Sequence, residues 1–294
     1  MGKMIIWPGP KYSECSKAHE TDSLVYADDV IRYLKFESPL SIKFCLRDAL
    51  RYVVNGKKII VPPGGFFIAN DGTEMECLPN KPGVQALFVF FANDLIQDVH
   101  RNHSLSDTAL LNDPGTGTTA EPARFFEHVY RHPTAISERL ASLARQMSVS
   151  GTAVPELPPR IFFGLAEQLL AEQQDISQRI GRINARTTAT RQELFRRVLI
   201  GKEYMLDQWD AKLGLPQIAR HACLSPYHFH RTFREVYGPP PMKWFRKLKF
   251  EKAKELLRGG AMTVTEVALQ CGFSDVFTFS KAFKREWGMN PSEV

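Results

Sequence analysis

Apolar and polar residues follow two different patterns along this chain of 294 residues. In the first third, short segments rich in β-branched and aromatic residues are separated by turn signals, which is typical of β-strands. These segments are SIKFCL, LRYVVNG, KKIIVPPGG, FFIAND and VQALFVFFA, and Asn55-Gly56 is a strong type I′ hairpin signal. In the last third, apolar residues recur every three or four positions, as in helices that bury one face. The pattern predicts an α+β protein with an all-α C-terminal part.

The segment LSPYHFHRTFREVYG, residues 224–238, shows the helical pattern most clearly. Ser225 and Pro226 predict a helix start, because a serine hydroxyl caps free amide groups and proline suits the first helical position. Gly238 and the prolines after it predict the helix end. The apolar face comprises Phe229, Phe233 and Val236. The opposite face, which we expect to point outwards, carries Tyr227, His230, Arg231 and Arg234.

The preceding segment LPQIARHAC predicts a short helix that begins at Pro216, with the small residue Ala219 where a second helix approaches. Two short helices joined by a tight turn, the second of them basic, form a helix-turn-helix motif. In this motif the second helix enters the major groove of DNA. A basic face that is merely solvated is the alternative for this helix taken alone.

An internal repeat supports the helix-turn-helix interpretation. IARHACLSPYHFHRTFREVYG recurs, with one inserted residue, as VALQCGFSDVFTFSKAFKREWG. The second copy predicts a second recognition helix over residues 275–287, with outward side chains at Val276, Phe277, Ser280, Lys281 and Lys284. Between the copies, PPMKWFRKLKFEKAKELLRGG predicts one long spacer helix. The cations clustered near its start are Lys243, Arg246, Lys247 and Lys249.

The charge of the chain is concentrated in the same region. The formal net charge is +6, and residues 191–294 hold 18 lysines and arginines against 11 acidic residues. Residues 1–190 hold 20 against 21 and are therefore close to neutral. A basic terminal domain on a neutral body favours a polyanionic partner.

The two helix-turn-helix units and their connecting helix resemble the DNA-binding domain of the AraC/XylS family of bacterial transcription regulators. The resemblance implies a cytoplasmic, nucleoid-associated protein that binds double-stranded promoter DNA, and it favours activation through contact with RNA polymerase. It implies base contacts from Tyr227, His230, Arg231, Val276, Phe277, Ser280 and Lys281. The residues expected to contact phosphate are Ser225, Arg234, Arg246, Lys247 and Lys284. For Phe277, contact with a thymine methyl group and packing on the protein's own surface both stay open.

The N-terminal third resembles the same family more weakly, through VVNGKKIIVPPGGFFIAND. The resemblance implies that residues 1–110 form a cupin-like β-barrel, or jelly roll, that binds a small-molecule effector. A barrel that serves only for dimerisation or protein contact is the alternative. The DNA-binding domain is expected over residues 191–294.

Residues 111–190 are expected to form a linker and a helical dimerisation segment. The linker contains a Gly- and Thr-rich loop, NDPGTGTTAEP, and a proline-rich break, VPELPPR. The helix after the break has apolar residues at coiled-coil spacing, interrupted by one glutamine: Phe162, Ala166, Leu169, Gln173, Ile176, Ile180 and Ile183. Packing of this seam against the barrel and a coiled coil between two copies explain the spacing equally well. The resemblance favours a homodimer.

The sequence favours neither an enzyme nor a metal protein. Metal-dependent cupins use His-x-His with a further carboxylate and histidine, whereas no histidine lies between Asp22 and Asp98. The five cysteines form no C-x-x-C pair and no P-C-H-R-like nucleophile motif. No apolar run approaches the ~20 residues of a membrane span. We therefore expect no cofactor, and the alternative function is a cupin-type enzyme or carrier with a DNA-targeting helical domain.

Overall fold

The computed structural model describes residues 4–7, 22–28, 33–104, 124–149, 158 and 160–294. The chain divides into two compact units, Met1–Ile176 and Ser177–Val294. This division falls inside the segment for which the sequence predicts a linker and dimerisation helix. The predicted loop at residues 112–122 and most of the proline-rich break lie outside the described residues.

The first unit is built on two antiparallel sheets. Sheet A has the described strand order β1-β2-β9-β4-β7-β10, and sheet B has the order β3-β8-β5-β6. The strands are β1 (Met4–Trp7), β2 (Ser23–Asp28), β3 (Tyr33–Ser38), β4 (Ser41–Arg47), β5 (Leu50–Val54), β6 (Lys57–Val61), β7 (Phe66–Ala69), β8 (Thr73–Cys77), β9 (Gln85–Phe90) and β10 (Val129–Tyr130). The helices of this unit are α1 (Asn93–Ser104), α2 (Ala135–Val149) and most of α3 (Arg160–Gly181).

Sheet A is buried on both faces. One face shares a core with sheet B, in which Phe67 and Phe88 of sheet A join Leu50 and Met75 of sheet B. The other face is covered by α2 and α3. Double burial explains why β9 is an almost continuous apolar run rather than an alternating one.

The β-rich N-terminal part predicted from the sequence is confirmed, and the five predicted strand segments correspond to β4, β5, β6, β7 and β9. The predicted hairpin turn is confirmed by positive φ angles of 47° at Asn55 and 77° at Gly56. Of the predicted barrel or jelly roll, the described strands form two separate sheets and not a closed barrel. The strands β1, β2, β3, β8 and β10 were not among the predicted segments.

The apolar seam of α3 packs inside its own chain. Phe162, Ala166 and Leu169 are buried in the core that α3 shares with sheet A. Gln173, which interrupts the seam, accepts a hydrogen bond at Oε1 from the backbone N–H of Phe126 at 2.8 Å. Of the two explanations, this part of the seam therefore matches core packing, because its side chains are already covered. Dimerisation stays a prediction.

The second unit contains six further helices and a short 3₁₀ turn at Pro291–Glu293. The helices are α4 (Thr188–Asp207), α5 (Leu215–His221), α6 (Pro226–Tyr237), α7 (Pro241–Arg258), α8 (Val264–Gln270) and α9 (Val276–Trp287). The two predicted helix-turn-helix units are α5–α6 and α8–α9. Both are confirmed, as is the long helix between them.

The repeat extends beyond the two helix-turn-helix units. Helix α4 packs against α5 and α6, and α7 packs against α8 and α9. We call α4–α6 module 1 and α7–α9 module 2. The buried side chains of module 1 include Phe195, Val198, Ile218, Ala219, Phe229 and Phe233. Those of module 2 include Phe250, Ala253, Val267, Ala268, Phe279 and Phe283. Each recognition helix is therefore held by the long helix that precedes it.

Module 1 depends on a close approach at Gly201 of α4. A Cβ at this position would lie 2.7 Å from Cζ of Phe229 and 3.3 Å from Cβ of Ala222. Because the Phe229 ring is fully buried, it has little room to move.

We expect Gly201→Ala to destabilise the protein by about 1–3 kcal/mol, the range for overpacking a core, despite the higher helix propensity of alanine. Urea unfolding followed by circular dichroism measures this change. Gly181→Ala at the exposed end of α3 is the matched control, since a Cβ there meets nothing within 4 Å. Equal stability of the two variants would contradict the close approach.

Candidate nucleic-acid interface

The first helix-turn-helix is shaped by local hydrogen bonds. Its turn is closed by a bond from Leu224 N–H to the carbonyl of Ala219 at 2.9 Å. Cys223 within the turn has a left-handed φ of 53°. Helix α6 then begins at Ser225, whose Oγ accepts from the backbone N–H of His228 at 3.3 Å. The predicted serine cap and the predicted end of α6 at Gly238 are both confirmed.

The second helix-turn-helix has the same construction with different caps. Phe273 N–H bonds to the carbonyl of Ala268 at 3.0 Å, and Gly272 takes the left-handed position with a φ of 80°. Asp275 caps α9 by accepting from the backbone N–H of Thr278 at 2.7 Å. This backbone hydrogen bond lowers the pKa of Asp275 below its usual value.

The two recognition helices align once their caps, Ser225 and Asp275, are matched. The inserted residue then lies before the cap of the second copy, and α6 and α9 both have 12 residues. Four partly or fully exposed positions correspond in the two helices: Tyr227 with Phe277, His230 with Ser280, Arg231 with Lys281, and Arg234 with Lys284. Each helix therefore presents an aromatic ring, a hydrogen-bonding side chain and two cations in the same order.

Both aromatic rings at the starts of these helices lie in solvent. Tyr227 is 71% exposed and Phe277 is 83% exposed. The alternative that Phe277 folds back onto the protein surface does not match its exposure.

The other predicted base-contacting residues also lie on this side of the helices. Arg231 and Lys281 are exposed, and His230, Val276 and Ser280 are half-buried. Arg231 donates from Nε to Oε1 of Glu235 at 3.0 Å, one helical turn further on. This hydrogen bond raises the pKa of Arg231 and holds its guanidinium along the α6 surface.

The residues predicted to contact phosphate are all exposed: Ser225, Arg234, Arg246, Lys247 and Lys284. The Ser225 hydroxyl already caps α6, so this residue marks a helix N-terminus, where backbone N–H groups favour anions. Nζ of Lys247 lies 4.0 Å from a carboxylate oxygen of Glu251, a solvent-exposed pair of small energetic value.

Lys249, one of the four cations near the start of the long helix, differs from the other three because its side chain is buried. Its side chain is only 8% exposed, and Nζ donates to the carbonyls of Ala211 and Cys271, both at 2.9 Å. The ammonium group also lies 4.9 Å from the centre of the Phe245 ring. Burial lowers the pKa of Lys249.

Arg197 is a second cation, besides Lys249, that donates to a carbonyl in a helix-turn-helix turn, and the sequence pattern did not predict it. Arg197 of α4 donates from Nη1 to the carbonyl of Cys223 at 2.8 Å and from Nε to Oε1 of Glu193 at 2.8 Å. Arg197 and Lys249 each stand four residues before a small buried residue, Gly201 or Ala253. Alignment of α4 with α7 would have revealed this spacing.

Within the part of the chain that the structure describes, no group of three or more His, Cys, Asp or Glu residues could hold a metal ion. Four cysteines in that part have free thiols, of which Cys45, Cys77 and Cys271 are buried and Cys223 is exposed. No helix among the described residues is long and apolar enough to cross a membrane.

Comparisons with known proteins concern mainly the second unit. A family model described as a helix-turn-helix domain matches residues 218–294. The HTH-type transcriptional activator RhaS of Escherichia coli O139:H28 is 35% identical over 86 residues, which are 29% of this chain and 29% of RhaS. The chain therefore aligns with less than a third of the length of this relative.

The chain is also similar to the following two solved structures. A probable AraC family transcriptional regulator from Rhodopseudomonas palustris is 28% identical, covers 33% of this chain and 92% of its own, and has a TM-score of 0.31. ToxT from Vibrio cholerae is 9% identical, covers 93% of this chain and 96% of its own, and has a TM-score of 0.33.

The left-handed turn position distinguishes the two helix-turn-helix units, because module 1 has Cys223 where module 2 has Gly272. We expect Cys223→Gly to stabilise the protein by about 0.5–1 kcal/mol, since glycine relieves the left-handed strain but gains freedom in the unfolded chain. Thermal or urea unfolding measures the change. Gly272→Ala should lose stability, because the alanine would adopt the left-handed conformation and its Cβ would also lie 3.2 Å from Nζ of Lys249. A Cys223→Gly variant less stable than the parent would contradict the account of the turn.

Proposed function

We propose that this chain, whose C-terminal region is a helix-turn-helix DNA-binding domain of the AraC/XylS family, is a transcription regulator that binds promoter DNA through both recognition helices. The observation that carries the proposal is the matched set of outward side chains on α6 and α9. Two helices with the same length and the same order of aromatic, hydrogen-bonding and cationic residues suit two similar surfaces. Successive major-groove segments of one duplex provide such surfaces.

The chemistry of the matched positions supports separate roles. Arg231 is the residue proposed to read a guanine edge, because a guanidinium matches its two acceptors with two donors. Lys281 stands at the same position of α9 and binds as a point charge, so its contact discriminates less between bases. Tyr227 and Phe277 are proposed to contact thymine methyl groups or sugars, which accept apolar contact. The exposed cations Arg234, Arg246, Lys247 and Lys284 are proposed to bind phosphates.

The curated relative RhaS is named a transcriptional activator. On this likeness we propose that the present chain also activates transcription and contacts RNA polymerase. The two-sheet unit is proposed to receive a small-molecule effector that controls DNA binding, as the family resemblance implies. We further propose that the protein works as a cytoplasmic homodimer.

The proposal is tested by selection of bound sequences from a pool of random duplexes with the full chain, at two salt concentrations. We expect enrichment of a motif with two boxes about one helical turn apart, because each recognition helix contacts its own major-groove segment. Affinity should fall steeply with salt, as counterions are released from the phosphates. Salt-sensitive binding without any enriched motif would contradict the assignment of α6 and α9.

Substitutions should separate base contacts from phosphate contacts. Arg231→Ala is expected to reduce the ratio of specific to non-specific affinity about tenfold or more, because a bidentate base contact is lost. Lys247→Ala is expected to weaken binding to specific and random duplexes equally and to reduce the salt slope by about 1. Fluorescence anisotropy on both duplexes measures both effects. Equal losses on the two duplexes for Arg231→Ala would remove this residue from the base-reading set.

Sedimentation equilibrium tests the proposed homodimer. Without DNA we expect twice the chain mass of 33.4 kDa at micromolar protein concentration. With a duplex that carries the selected motif, we expect the mass of two chains plus the mass of the bound DNA. A single-chain mass throughout the accessible concentration range would contradict the dimer and leave the two recognition helices of one chain as the whole DNA-binding surface.

A further inference from the structure

Lys249 lies where three segments of the second unit meet. It belongs to α7, the first helix of module 2, and its Nζ donates to the carbonyl of Cys271 in the turn before α9. The same Nζ donates to the carbonyl of Ala211, in the loop that joins α4 to α5 in module 1. One ammonium group thus bonds to the backbone of both modules.

The space around this ammonium is fitted to it. A Cβ on Gly272 would lie 3.2 Å from Nζ, so the glycine that follows Cys271 leaves room for the charged group. The Phe245 ring lies on another side, with its centre 4.9 Å from Nζ. The two carbonyls that accept its hydrogen bonds, the ring that faces the charge and the nearby carboxylate of Asp210 stabilise the buried ammonium. If the ammonium were replaced by an apolar group, both carbonyls would lose this donor.

Arg197 in module 1 provides an internal comparison. It also donates to the carbonyl of a helix-turn-helix turn, at Cys223, and it also precedes a small residue of its helix by four positions. Its hydrogen-bond acceptors, Glu193 on the same helix and Cys223 in the turn, both lie within module 1. Lys249 differs because its second bond crosses to the other module. The shared role of the two cations is to hold a turn, and the additional role of Lys249 concerns the placement of one module against the other.

We propose that Lys249 is a positioning residue that fixes the relative placement of the two recognition helices and thereby sets the box spacing that the protein accepts on DNA. The inference rests on the proposed DNA-binding function. One added base pair moves the second box by about 3.4 Å and rotates it by roughly a tenth of a turn. Two rigidly joined modules tolerate such a change poorly, whereas loosely joined modules follow it.

The test uses the full chain and the two-box duplex selected by the unsubstituted protein. Spacers one base pair shorter, equal, and one and two base pairs longer are compared by fluorescence anisotropy. The unsubstituted protein is expected to prefer one spacing by about tenfold or more. Lys249→Met, which keeps the length and removes the donors, is expected to reduce this preference to about threefold or less. Lys252→Met on the same helix, which removes a charge paired with Glu255, is the matched control and should keep the preference.

The measured quantity is a ratio of affinities from one protein preparation. A smaller folded fraction lowers every affinity by the same factor and leaves the ratio unchanged, so a merely structural role does not produce the expected result. If Lys249→Met yields no folded protein, Lys249→Gln keeps one donor group and is expected to show an intermediate preference.

The possible failures are distinguishable. An unsubstituted protein that selects no motif overturns the proposed function. An unsubstituted protein with a clear spacing preference, together with a Lys249→Met variant that keeps it or loses affinity equally for all spacers, overturns the role of Lys249 alone.

Discussion

The burial of two phenylalanines on one side of each recognition helix is the constraint on which the second unit depends. Phe229 and Phe233 in α6, and Phe279 and Phe283 in α9, are completely buried. A helix that buries positions four residues apart has only one possible outward face. The core therefore determines on which face the cations and aromatic rings lie. Gly201 and Ala253 serve the same end, because small residues let α4 and α7 approach the buried rings.

The parts of this fold that are determined locally were predictable from sequence. The cap at Ser225, the apolar stripe of α6, the repeat in α9 and the Asn55-Gly56 turn each depend on residues within one or two helical turns or one hairpin. Strand β2 was missed, and its pairing partner β9 lies about 60 residues away in sequence, so no hairpin signal marks the pair. The burial of Lys249 was not predictable, because its two carbonyl partners lie 38 and 22 residues away in sequence.

The apolar seam of α3 shows that one periodic pattern is compatible with two different kinds of contact, core packing and a coiled coil. Apolar residues spaced by three and four predict a buried stripe, but they do not identify the surface that covers it. Here sheet A covers Phe162, Ala166 and Leu169, and the side-chain oxygen of Gln173 accepts a hydrogen bond from a backbone N–H group.

The candidate DNA surface has stronger support from the sequence than the α3 seam, since two copies of one motif carry similar residue types at the same positions. Repetition supplied the independent evidence that a single amphipathic helix lacks.

The strand order of sheet A has a consequence for how the chain folds during its synthesis. Strand β2 pairs with β1 early but cannot pair with β9 until β9 has been made. The sheet's second face stays uncovered until α2 and α3 follow, with α3 beginning at Arg160. Each module, in contrast, is complete within about 50 consecutive residues. Low contact order favours rapid folding, so the modules should form quickly as they emerge. The apolar strands of the first unit stay exposed for longer than the helices of the modules, and exposed strands favour aggregation. We therefore expect the first unit to depend more on chaperones during synthesis than the modules do.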